Sequence, residues 1–73
     1  MSGRKYSIDE IDRMRRAVRT IEGHQPGFRL RGGKADYICE ERLRTYMLNG
    51  TAPEELETEA DRRAKELGIP RFT

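Results

Sequence analysis

The sequence has little of what small proteins use for extra stability. Its 73 residues include one cysteine, Cys39, one histidine, His24, and no tryptophan. A lone cysteine excludes an internal disulfide, and one Cys with one His cannot form a zinc ligand set. At this length a core rarely supplies more than roughly 3 to 5 kcal/mol of net stability. We therefore expect no metal ion and no cofactor, and we expect added stability from association with another macromolecule.

Long apolar segments are also missing. No apolar run approaches the roughly 18 residues of a membrane span, and Met1 to Tyr6 is too short and polar for a secretory signal. We therefore expect a cytoplasmic protein with no membrane partner.

The residues that catalysis requires are not grouped. Cys39 and His24 form the only thiol and imidazole pair, and we interpret them as a buried core thiol and a solvated loop imidazole. Glu40 and Glu41 are adjacent in sequence, so on a helix they point roughly 100° apart and cannot flank one bond. A catalytic pocket of even about 300 Å³ is also hard to build inside so small a helical domain. The sequence therefore predicts neither an enzyme nor a small-molecule substrate.

Helix punctuation, by contrast, is abundant in this chain. Ser7 to Glu10 reads as a capping box, and Gly23 is placed to end the helix that follows. Between them one apolar stripe recurs at helical spacing: Ile11, Met14, Ala17, Val18 and Ile21. The first helix is therefore predicted over about residues 8–22.

Two more helices follow a loop over residues 23–33, which contains Pro26 and several glycines. The second is predicted over about 35–48, and the third over about 52–67, with Thr51 to Glu54 as another capping box. Residues 68–73 form a short tail. We predict a single all-α domain of three helices.

Charge is distributed unevenly along the chain. Residues 1–35 carry nine Lys and Arg against four Asp and Glu, whereas residues 36–73 carry six against nine. The basic residues that could contact phosphates are Arg13, Arg15, Arg16, Arg19, Arg29, Arg31 and Lys34. Against a nucleic-acid role, the overall charge is only +2, and the third helix begins with Glu54 and Glu55 where a recognition helix would meet phosphates.

The second predicted helix also has an unusual outer face. Tyr37, Glu41, Arg44 and Leu48 line up at i, i+4, i+7 and i+11, away from the predicted core stripe. Two interpretations stay open: Tyr37 and Leu48 are anchors for a partner, or they are covered by the loop at Phe28 or the tail at Phe72.

Residues 41 to 57, ERLRTYMLNGTAPEELE, resemble segments of small uncharacterised helical proteins encoded by tailed bacteriophages and prophages. The resemblance implies a viral accessory role, as a minor virion or assembly component or as an inhibitor of a host protein. It also implies a location in the host cytoplasm or the virion. Both roles are binding functions.

These observations predict a non-enzymatic protein-interaction module, with another protein or a second copy of the chain as its partner. We expect an acidic partner surface to meet the arginines, and Tyr37, Arg44 and Leu48 to act as anchors. The basic residues in this hypothesis are Arg13, Arg16, Arg19, Arg29 and Arg31. The alternative is a small nucleic-acid-binding protein that uses the arginine face of the first helix and residues 28–34.

Overall fold

The computed structural model describes residues 4–26 and 33–72. Within these ranges it contains three helices and no strand: α1 (Ile8–Ile21), α2 (Lys34–Leu48) and α3 (Pro53–Leu67). The prediction of an all-α, three-helix protein is confirmed. Each helix bound lies within one residue of the predicted position.

Of the two predicted capping boxes, the structure contains one. The capping box of α1 is present, since the Glu10 amide donates to Ser7 Oγ at 3.1 Å and the Ser7 amide donates to Glu10 Oε1 at 2.9 Å. The second capping box is wrong, because Ala52, not Thr51, is the N-cap residue of α3 and no side chain caps this end. The cause is Pro53, which excludes helical geometry at the preceding residue; Ala52 is extended, with ψ 140°.

All three helices end in the same way. The glycine after each helix end has positive φ, at 89°, 71° and 68° for Gly23, Gly50 and Gly68. In each case the amide after the glycine donates to a carbonyl five residues back, as in the 2.9 Å bond from His24 to Arg19. This is the Schellman arrangement, so a local signal sets each helix end.

The central helix of the fold is α1. It packs against both α2 and α3, whereas no Cα atom of α2 lies within 8 Å of a Cα atom of α3. The buried core takes residues from all three helices: Met14, Ala17, Val18, Cys39, Leu43, Leu56 and Ala60. Because α2 packs on α1 through one side only, its opposite side faces solvent.

The C-terminal tail packs onto α1. The Phe72 amide donates to Thr20 Oγ1 at 2.8 Å, and the Arg19 guanidinium lies 5.2 Å from the centroid of the Phe72 ring. The tail therefore buries Thr20 and does not cover the outer face of α2. The interpretation that the tail at Phe72 covers Tyr37 and Leu48 is therefore wrong. The loop residue Phe28, which was the other candidate, lies outside the described residues.

Candidate protein-interaction surface

The arginines of α1 are held in ion pairs within the chain. Arg13 donates to both carboxylate oxygens of Glu57 on α3, at 2.6 and 3.2 Å. Arg15 does the same with Glu40 on α2, at 2.9 and 3.3 Å. These two guanidinium groups therefore join α1 to its neighbours. A partner would have to displace a bidentate carboxylate to reach either of them.

The remaining arginines of the hypothesis differ in their surroundings. Arg16 pairs with Asp12 one turn earlier at 2.9 Å, and the Arg19 guanidinium lies 3.9 Å from Asp36 on α2. Arg29 and Arg31 lie outside the described residues. The three arginines of the hypothesis that the structure describes, Arg13, Arg16 and Arg19, therefore each lie beside a carboxylate of the chain.

The outer face of α2 keeps the arrangement that its spacing predicts. Tyr37 and Leu48 are 66% and 64% exposed, although both are large and apolar. Between them Arg44 Nη1 lies 3.2 Å from Glu41 Oε2. We refer to Tyr37, Glu41, Arg44 and Leu48 as the α2 stripe. Its order along the helix is apolar, acidic, basic and apolar.

A groove of about 430 Å³ lies directly beside the α2 stripe. We call it the α1–α2 groove. Arg44 and Leu48 belong to both the groove and the stripe. The lining of the groove combines apolar and charged side chains: Arg4, Tyr6, Ile11, Arg15, Glu40, Leu43, Arg44, Met47 and Leu48. The groove is an open surface feature between two helices, not an internal cavity.

Sequence reasoning did not identify the N-terminal wall of this groove. Tyr6 is partly buried against the core, and its hydroxyl donates to the Thr51 carbonyl at 2.9 Å. Arg4 lies 4.9 Å from the Tyr6 ring and also pairs with Glu10. A signal was present, since Tyr6 precedes the Ser7 cap where a hydrophobic staple residue would lie, but the spacing alone did not place it beside α2.

The groove lacks a reactive thiol. Cys39 is 1% exposed and lies in the core, as interpreted from the sequence. Burial raises the pKa of the Cys39 thiol, with nearby Glu22 acting in the same direction, so the neutral form is favoured. Among the described residues no three His, Cys, Asp or Glu side chains are placed to hold a metal ion. Within the same ranges, no helix is long and apolar enough to cross a membrane.

The pair of Arg13 and Glu57 makes the stability of the fold depend on pH. The hydrogen bond from Arg13 lowers the pKa of the Glu57 carboxyl, so this pair contributes stability above the unfolded-state pKa of about 4.3. That contribution is lost as the pH falls through the folded-state pKa. We expect Glu57→Gln to lower the free energy of unfolding at pH 7 and to flatten its decline below about pH 5. Urea unfolding at several pH values measures both effects, and an unchanged pH profile would contradict them.

No protein-family model, curated protein or solved structure matches this chain. The α2 stripe and the α1–α2 groove are therefore the features of the molecule that bear on its function.

Proposed function

We propose that this protein is a non-enzymatic protein-interaction module that binds its partner through the outer face of α2. The observation that carries the proposal is the pair of two-thirds-exposed side chains, Tyr37 and Leu48, on one line of the helix. Single exposed apolar residues are common on protein surfaces. Here, however, Leu48 also lines the α1–α2 groove together with other apolar side chains, and apolar residues grouped at a surface are typical of a binding site.

The chemistry of the stripe suits contact with another helix. Side chains at i, i+4, i+7 and i+11 follow one face, which is the spacing that an opposing helix contacts. Tyr and Arg are enriched among the residues that contribute most to binding. The ion pair of Glu41 and Arg44 lies between the apolar ends, so it can set the register of a partner without leaving a buried charge alone.

We attribute an accessory role to this module. It would act by occupying the surface of another protein, as a virion or assembly component or as an inhibitor, in keeping with the phage-type resemblance of residues 41 to 57. Nucleic-acid binding has less support, because Arg13, Arg15 and Arg16 each already pair with a carboxylate of the chain. A phosphate would have to compete with those carboxylates.

Site-specific photocrosslinking tests which surface binds. A photoreactive benzoylphenylalanine replaces Tyr37 in one variant and Thr58, on the exposed side of α3, in the control. Irradiation of producing cells is expected to give discrete adducts from position 37 and none from position 58. The adducts, identified by mass spectrometry, are expected to disappear when Leu48 is also changed to Lys.

The position dependence decides the result. Equal adducts from both positions, or adducts that survive Leu48→Lys, would show that the outer face of α2 does not select a partner. An absence of adducts from position 37 would contradict the proposed function.

A further inference from the structure

We infer that the α2 stripe binds a second copy of the same chain, with the two α2 helices antiparallel about a two-fold axis. The inference rests on the proposed function and names its partner. It depends on the order of the four side chains along α2, which is apolar, acidic, basic and apolar. A two-fold axis reverses that order, and the reversed order is chemically complementary to the original.

The register follows from the spacing of the stripe. When the axis passes between positions 42 and 43, Tyr37 faces Leu48 of the second copy and Glu41 faces its Arg44. Each of these contacts occurs twice. The four positions of the stripe are separated by four, three and four residues, which is the spacing of the contact positions in a coiled coil. Two helices with this spacing can stay in contact at all four positions.

The parallel arrangement is disfavoured by the same residues. In register, it would place Glu41 on Glu41 and Arg44 on Arg44 at the centre of the contact. Like charges in direct opposition are repulsive. Only the antiparallel arrangement brings opposite charges together while also pairing the apolar ends.

The charges already present in one chain are compatible with this contact. Arg44 Nη1 lies 3.2 Å from Glu41 Oε2, and the two side chains are 68% and 42% exposed. In the dimer each carboxylate would gain a second guanidinium group, which gives a network of four charges with none left alone. A helix of 15 residues is only about 22 Å long, so we expect a small interface and a reversible dimer.

Charge reversal at the two central positions tests the pairing. Glu41→Arg places like charges across the axis, and so does Arg44→Glu, so each variant alone is expected to be monomeric. In a mixture of the two variants, one chain has arginine at both positions and the other chain has glutamate at both. These two chains are expected to form a heterodimer. The double variant, E41R with R44E, restores complementarity and is expected to self-associate like the original chain.

Sedimentation equilibrium of each sample over a range of concentrations measures the dissociation constants. We expect each single variant to weaken self-association at least roughly tenfold, and circular dichroism to show unchanged helix content because both residues are solvent-facing. The inference is overturned if the original chain stays monomeric up to about 1 mM, if a single variant self-associates as well as the original, or if the mixture does not associate. In that case, specific adducts of Tyr37 with a different protein would still support the proposed function.

Discussion

Met14→Ala is expected to remove most of the stability of the protein at 25 °C. The Met14 side chain is completely buried in the core cluster, on the helix that packs against both others. Removing a buried Met side chain costs about 2 to 5 kcal/mol, because the lost burial is accompanied by an unfilled cavity. The core of a domain of this length rarely supplies more than roughly 3 to 5 kcal/mol of net stability, so the expected cost is a large part of the total. A urea midpoint shifted far towards zero, followed by the helical circular dichroism signal, measures the effect.

The chain supplies a matched control at Met47. Met47 is only partly buried at the edge of the same cluster, where it also lines the α1–α2 groove. Met47→Ala removes the same atoms from a site where water already reaches the side chain, so its cost is expected to be clearly smaller. Equal losses of stability in the two variants would show that Met14 is not at the centre of the core.

The helices could be predicted because their signals are local. Ser7 with Glu10 specifies the start of α1 within four residues, and Gly23, Gly50 and Gly68 end the three helices at positions that require positive φ. The single wrong cap has an equally local cause in Pro53. Interactions over three to five residues are visible in a sequence without knowledge of the fold.

Burial at the ends of helices is less visible, because it depends on how far the neighbouring helix extends. Leu67 continues the helical spacing of the buried residues Leu56, Ala60 and Ala64 on α3, yet it is 42% exposed. Arg63 Nε donates to the carbonyl of Ile21, which is the last residue of α1. The third helix therefore passes the end of α1 one turn before it reaches Leu67. Conversely Thr20 lies outside the apolar stripe and is fully buried, because the tail packs on it.

The candidate site could be predicted only in part, for a similar reason. The period of α2 places Tyr37 and Leu48 on its outer side, and the structure leaves both exposed. The period of α1 also separates Arg13 and Arg15 from the apolar stripe, but it cannot show that α1 lies between two helices. Both arginines consequently reach carboxylates on neighbouring helices. The groove was missed because its walls come from residues 4–15 and 40–48, which only the fold brings together.

Leu48→Lys is expected to abolish self-association without changing the stability of the monomer. Leu48 is exposed in the single chain, so little burial is lost there. The new cation is favourable at the C-terminal end of α2, and this offsets repulsion from Arg44 four residues earlier. In the dimer, however, the same change removes the apolar contact with Tyr37 at both ends of the interface.

The expected size of this effect follows from the symmetry. Burying one leucine contributes about 1.5 kcal/mol or more, and the two-fold axis doubles the loss, so the dissociation constant rises about a hundredfold. Leu67→Lys is the matched control. Leu67 is the last residue of α3, as Leu48 is of α2, and each leucine lies four residues after an arginine. Sedimentation equilibrium should show a monomeric Leu48→Lys variant and an unaltered dimer for Leu67→Lys. If both variants associate equally, the apolar ends of the α2 stripe do not contribute to binding.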